Sequence, residues 1–277
     1  MKDRNNRRSR NRTRLYVLLI LAGLLVLLSI LAPLLTPNDP NATSALHMNE
    51  APSRDFPFGT DRYGRCICSR VLMGARTSIF SAVALVAATF IFGSVLGMLA
   101  GWFGGAADAL VMRLADVLLA FPQMVLAIAV AGILGGGLAN AMLAMGVTGW
   151  TLYARLARAQ VLALKEEAYV SAARLTGQGA LSILLKTLLP NMLGPLVVNA
   201  STQIGTMMIG IAGLSFLGIG VTEPQAEWGS MISGARAYLQ LAPWAVLAPA
   251  AATILTVMIF NCLGDCLRDV LDVEGAR

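Results

Sequence analysis

The chain has 277 residues, of which 57% are hydrophobic and 13% charged, with a formal net charge of +6 at pH 7 and a mean hydropathy of +0.70. So apolar and charge-poor a sequence is not a soluble globule, and its long uncharged runs place most of it in lipid. Those runs lack the period-2 alternation of a membrane β-barrel, which leaves helices of about 20 apolar residues each.

Six spans are expected. The first, Leu15–Leu35, follows a basic head containing Lys2, Arg4, Arg7, Arg8, Arg10, Arg12 and Arg14, and ends at Thr36-Pro37-Asn38-Asp39-Pro40. Its apolar run is longer than the roughly 7–15 residues of a cleavable signal core, so it reads as a true span. The basic head places the N-terminus in the cytoplasm by the positive-inside rule. An outer loop, 36–76, carries Arg54, Arg62, Arg65, Arg70 and Arg76, which run against that rule, among Asp39, Glu50, Asp55 and Asp61.

The second span, Thr77–Ala100, leads into Gly93-x3-Gly97-x3-Gly101, a stripe that lets another helix approach closely. The third, Asp108–Leu134, carries Asp108, Arg113 and Asp116. Arg113 and Asp116 stand at the i, i+3 spacing of an intrahelical ion pair. Ionisable groups at membrane depth are functional candidates, so Asp116 is a candidate for the transport path or its gate. Gly135-Gly136-Gly137 makes a turn before the fourth span, Leu138–Leu162.

A polar stretch, 165–190, follows on the inner side. It reads as a helix from Lys165 to Arg174, a break at Gly177 and Gly179, and a second short helix to Leu188. Ala168, Ala172 and Leu175 form a small apolar stripe suited to docking in a groove of another protein. The fifth span, Asn191–Gly218, contains Met207 and Met208, candidates for lining a path, although Met is equally a gap-filling residue. The sixth is Pro243–Asp265. The expected organisation is therefore a basic head 1–14, a first helix 15–35, a loop 36–76, a permease domain 77–268 with a coupling element 165–190, and a cytoplasmic tail 269–277.

Enzyme chemistry is missing. A P-loop needs Gly-Lys before Ser or Thr, and none of Lys2, Lys165 and Lys186 follows a glycine. One histidine, His47, lies in the outer loop, and Cys66-x-Cys68 and Cys262-x3-Cys266 match neither a zinc nor a redox spacing. No catalytic residue, metal site or cofactor is expected, and the positive charge is a topology signal rather than a nucleic-acid surface.

These residues resemble a known family, the inner-membrane permeases of ABC importers in the dipeptide, oligopeptide and nickel group. The family's cytoplasmic signature aligns with Ser171-Ala172-Ala173, Gly177 and Thr187-x-Leu189-Pro190, with Ser and Thr where Glu and Ile are usual. Phe58-Gly59-Thr60-Asp61-Arg62-Tyr63-Gly64-Arg65, Gly101-Trp102-Phe103-Gly104-Gly105, Ala120-Phe121-Pro122, Leu214-Ser215-Phe216-Leu217-Gly218 and Glu227-Trp228-Gly229 resemble its C-type subunit. The resemblance implies an all-α membrane protein with the type I transmembrane fold, forming half of a translocation pathway. It also implies a bacterial inner-membrane location, with both termini cytoplasmic.

The implied partners are a B-type permease, two cytoplasmic ATPase subunits and an extracytoplasmic substrate-binding protein. Ser171, Ala172, Ala173, Gly177, Leu189 and Pro190 would form the contact with an ATPase. The runs Ile204-Gly205-Thr206-Met207-Met208 and Ala212-Gly213-Leu214 look more like nickel importers than peptide importers, so nickel or a nickel chelate is favoured over peptides. An ion-coupled secondary transporter is the alternative of another class. It is disfavoured because the two halves show no convincing internal repeat.

Overall fold

The structure is a computed structural model that describes residues 2–275, and the side chains of residues 10–271. Lys2, Arg4, Arg7, Arg8 and Arg277 therefore fall outside the described side chains. The described chain is helical, and its sole β feature is an isolated bridge between Thr60 and Cys66. In chain order the helices are α1 (Lys2–Leu35), α2 (Ile67–Phe103), α3 (Gly105–Leu119), α4 (Gln123–Leu134) and α5 (Leu138–Leu164). They continue with α6 (Ala168–Leu175), α7 (Ala180–Ile183), α8 (Leu189–Phe216), α9 (Trp228–Ala235) and α10 (Trp244–Gly275), with one π turn over Leu184–Leu188 joining α7 to α8.

Four helical stretches are long and apolar enough to cross a membrane: Arg10–Leu35, Ile67–Phe103, Ala180–Phe216 and Trp244–Leu271. α3 and α4 make a fifth if a pair bent by 90° counts as one span. The expected count of six is thus supported only to four or five. The fourth expected span became α5, which has the length but is diluted by Asn140, Thr148, Thr151, Arg155, Arg158 and Gln160. That polarity is tolerable because α5 is a core helix: Met145, Tyr153, Ala154, Ala157 and Val161 are all buried.

The third span was expected to be one helix over 108–134, and it is broken instead. Pro122 has no N–H and disfavours helical geometry at Phe121, so α3 stops at Leu119 and the chain restarts at Gln123 in a new direction. The second span starts ten residues earlier than expected, at Ile67, so 67–76 of the expected loop is helical.

α2 and α5 form the main pair of the bundle. A Cβ on Gly93 would collide with the Trp150 carbonyl oxygen and one on Gly97 with that of Ala154, while one on Gly101 would stand 3.0 Å from Val161 Cβ. The glycine stripe is therefore a packing seam, as its spacing suggests. Around it, Ile79, Leu85, Val86, Met145, Tyr153, Met207, Ile211 and Leu214 make the central core.

The two ends of the bundle differ. At one, Cys266 Sγ donates to the Asn11 carbonyl at 3.4 Å, bringing the start of α1 to the end of α10. Most of the basic residues flanking the helices lie there, and it is called the basic end below. At the other, loop 36–66 folds over the starts of α2 and α10. Asn38 N–H donates to Ser69 Oγ at 3.1 Å, and Trp244 Nε1–H to the Thr60 carbonyl at 3.2 Å.

Candidate coupling element and pathway residues

α6 lies at the basic end and has two unlike faces. Val170 and Ala173 are buried against Ile183, Leu184, Leu188, Met98, Ala157 and Val161. On the opposite face Ala168, Ser171, Ala172 and Leu175 are exposed, Leu175 to 89% of its surface, and Leu181 of α7 continues the patch at 67%. Arg174 stacks its guanidinium on Trp102 at 4.7 Å, pinning α6 to the end of α2.

Gly177 ends α6 with φ +78°, a backbone that only glycine adopts without strain. The Gln178 N–H then reaches back to the Ala173 carbonyl at 3.2 Å and the Gly177 N–H to that of Arg174 at 3.0 Å. The element is thus a rigid bracket, anchored on one side and apolar on the other.

Of the six residues aligned with the coupling signature, Ser171, Ala172 and Gly177 are exposed in this bracket. Ala173 faces inward, and Leu189 and Pro190 open α8 just after the π turn. Those last two set the junction rather than the exposed patch: Pro190 cannot donate a backbone hydrogen bond, and the helix around it loosens. Leu181 and the Arg174–Trp102 contact were not legible from spacing. The parts of each pair lie on different elements.

The charged residues of the third span pair across helices. Asp116 takes Arg155 of α5 at 2.5 Å, not Arg113 of its own helix. Asp108 takes Arg158 through two hydrogen bonds, of 2.5 and 2.6 Å. Arg113 is exposed and makes no ion pair among the described residues. The i, i+3 expectation is corrected here because α5 presents two arginines one turn apart, and a bidentate or short contact across helices outcompetes a marginal local pair. Met207 and Met208 are 1% and 3% exposed, packed in the central core beside Met145 and Gly149. In this arrangement they fill space and line no open surface.

The 36–66 loop is held by a separate ionic cluster. Arg65 Nε donates to Asp61 at 2.7 Å and its Nη2 to Glu223 at 3.3 Å, while Arg62 reaches Glu223 at 3.4 Å. Arg70, 2% exposed, donates to the Pro40 and Pro224 carbonyls at 3.1 Å each. Burial raises the Glu223 carboxyl, but the charges of Arg65 and Arg62 outweigh it and hold the group below the ordinary carboxylate range. These arginines, anomalous by the positive-inside rule, are structural fasteners.

Nearby, Glu227 caps α9 by accepting from the Gly229 and Ser230 N–H groups at 2.9 and 2.8 Å, and Trp228 Nε1–H donates to the Val71 carbonyl at 2.9 Å. The Glu227-Trp228-Gly229 run is therefore a knot tying α9 to α2. Among the described residues, no group of three or more His, Cys, Asp or Glu side chains is placed to hold a metal ion.

The family model for the inner-membrane component of binding-protein-dependent transport systems matches residues 93–273. The chain belongs to this family. The permease is 41% identical over 254 residues to the dipeptide transport system permease protein DppC of Alkalihalophilus pseudofirmus, covering 92% of this chain and 84% of that protein. It is 42% identical over 258 residues to the glutathione transport system permease protein GsiD of Pectobacterium atrosepticum, covering 91% and 86%. It is also 39% identical over 254 residues to the nickel transport system permease protein NikC of Escherichia coli, covering 92% of each. The permease thus falls in the dipeptide, oligopeptide and nickel group of C-type subunits. Its fold is similar to a chain of the inward-facing MetNI methionine ABC transporter, with a TM-score of 0.52 and 20% identity over 71% of this chain and 94% of that one.

Proposed function

We propose that this chain is one of two permease subunits of an ATP-driven, binding-protein-dependent importer, with its basic end in the cytoplasm and α6 as the element that an ATPase moves. The observation that carries this reading is the two-faced α6. Val170 and Ala173 weld it to α2, α5 and α8, while Ala172 and Leu175 offer an apolar contact to a partner. A push on α6 would be passed to the spans through the side chains of Val170 and Ala173, which pack in one cluster with Met98 of α2, Ala157 and Val161 of α5 and Met192 of α8.

The ATPase pair would sit on the basic end, hydrolysing ATP outside this chain, which itself would hold no cofactor. A B-type permease would complete the pathway. A binding protein would deliver the solute at the end covered by loop 36–66.

Two cargo classes stand side by side. The Ile204-Gly205-Thr206-Met207-Met208 and Ala212-Gly213-Leu214 runs favour nickel or a nickel chelate. Similarity to a dipeptide permease at 41%, against 39% for a nickel permease, favours a short peptide no less. Accumulation of labelled nickel and of a labelled dipeptide, in cells with and without this subunit, separates them. Selective loss of one uptake assigns the cargo, and loss of neither overturns both cargo readings.

A further inference from the structure

A small cavity of about 30 Å³ lies under loop 36–66, where the start of α2, loop 217–227, α9 and the start of α10 meet. Its wall carries Arg62, Arg65 and Arg70 together with Asp61 and Glu223. Three guanidinium groups thus face two carboxylates, and one positive charge is in excess.

That excess falls on Arg70. Asp61 is committed elsewhere: its Oδ1 accepts from the Tyr63 and Arg65 N–H groups at 2.9 and 3.0 Å, and its Oδ2 from Arg65 Nε at 2.7 Å. Glu223 is shared by Arg62 and Arg65 at 3.4 and 3.3 Å. Arg70 is 2% exposed, and its Nε comes no closer to Asp61 Oδ2 than 3.8 Å, beyond hydrogen-bond reach. Its Nη1 finds neutral acceptors, the Pro40 and Pro224 carbonyls at 3.1 Å each and Asn41 Oδ1 at 3.5 Å.

Two polar atoms are left over at the same place. Arg70 Nε and Asn49 Oδ1 are both buried without a hydrogen-bond partner among the described residues, and both residues line the cavity. Buried polar atoms are ordinarily partnered, and a buried charge without a counter-charge is costly. A space of about 30 Å³ takes a water or two, or one ion of chloride size, and excludes a peptide or a dicarboxylate. Water would partner both atoms and leave the charge uncompensated. An anion meets the free Arg70 N–H and the excess charge together, and a half turn of the Asn49 carboxamide presents an N–H in place of the unpartnered oxygen.

We propose that this cavity binds a single small monovalent anion of chloride size, held by Arg70 Nε and the Asn49 amide. Arg70 comes from α2 and Asn49 from loop 36–66, with Gly234 of α9 completing the wall. Occupancy therefore sets how firmly the loop is fastened to the helices beneath it.

The test uses the full-length permease in detergent, comparing sodium chloride and sodium bromide with sodium gluconate at equal ionic strength, gluconate being too large for the cavity. Millimolar chloride or bromide is expected to raise the thermal midpoint by several degrees, saturably, and to slow tryptic cleavage at Arg54 at least threefold. In crystals grown with bromide, anomalous scattering should place one bromide beside Arg70. Asn49→Asp adds a fixed carboxylate to the same wall. Gly234→Ala brings a methyl to it, with its Cβ 3.6 Å from Glu223 Oε1 in ordinary contact. Both variants should lose the halide response, and N49D should match the stability of the halide-loaded parent. Equal behaviour of the parent in chloride and gluconate, with no bromide peak, would mean that the cavity holds water only, and overturns the site. The same halide response in the parent and in both variants would mean a general salt effect, and overturns it as well.

Discussion

Gly97 of α2 sits so closely against Ala154 of α5 that any Cβ there would collide with the Ala154 carbonyl oxygen. Alanine would gain about 1 kcal/mol in helix propensity over glycine, but overpacking a close helix contact costs about 1–3 kcal/mol. Gly97→Ala is therefore expected to lower the thermal midpoint of the detergent-solubilised protein by several degrees. Gly23 of α1, with nothing within 4 Å of its would-be Cβ, is the control. Gly23→Ala should leave the midpoint unchanged or raise it. Equal effects at both sites would contradict the seam.

Glu227 is 1% exposed and accepts two backbone N–H groups at the start of α9. Glu227→Ala removes the cap, a loss of about 0.5–2 kcal/mol, and strands two donors in a buried site. A destabilisation at or above that range is expected in thermal unfolding, with Glu227→Gln recovering part of it. An alanine variant as stable as the parent would show that the knot between α9 and α2 is not needed.

The Glu223 cluster has a definite pH sign. A carboxyl whose folded-state pKa is depressed adds stability that is fully present above its unfolded pKa, and that stability is lost as pH falls through the folded value. For Glu223 the folded value lies below the ordinary range, which for Glu is about 4.3. Loop 36–66 should therefore resist proteolysis evenly from pH 7 to 5 and loosen only in stronger acid. Glu223→Gln should raise cleavage at Arg54 and Arg62 modestly at neutral pH, because the pair is part-exposed and such pairs contribute little, about 1 kcal/mol or less. A transition between pH 5 and 7 would contradict the assignment.

Membrane character, the glycine seam and the helix–turn–helix around Gly177 were legible because each is carried by a local pattern: apolar length, i, i+4 small residues, and a polar stretch broken at Gly177. What escaped the sequence involves two distant segments at once. Asp116 has an arginine three residues away and takes another 39 positions on, since helix crossing decides which guanidinium arrives. Arg62, Arg65 and Arg70 looked like a breach of the charge rule until loop 217–227 brought Glu223 and the Pro224 carbonyl to them. α5 failed as an apolar span for a related reason. Thr148 and Thr151 are buried by neighbours and Arg155 and Arg158 are paired with Asp116 and Asp108 of α3, none of which a single-helix count sees.

The central claim is that α6 transmits the work of ATP hydrolysis to the spans, and the most direct measurement follows ATP hydrolysis and solute uptake together in vesicles containing the assembled importer. Leu175→Asp places a charge on the exposed apolar face of α6 and touches nothing buried. Uptake is expected to fall at least tenfold, with the protein still folded and in the membrane and any remaining hydrolysis uncoupled from transport. Ala172→Trp should act in the same direction. Uptake and hydrolysis at parental levels in both variants would contradict the account.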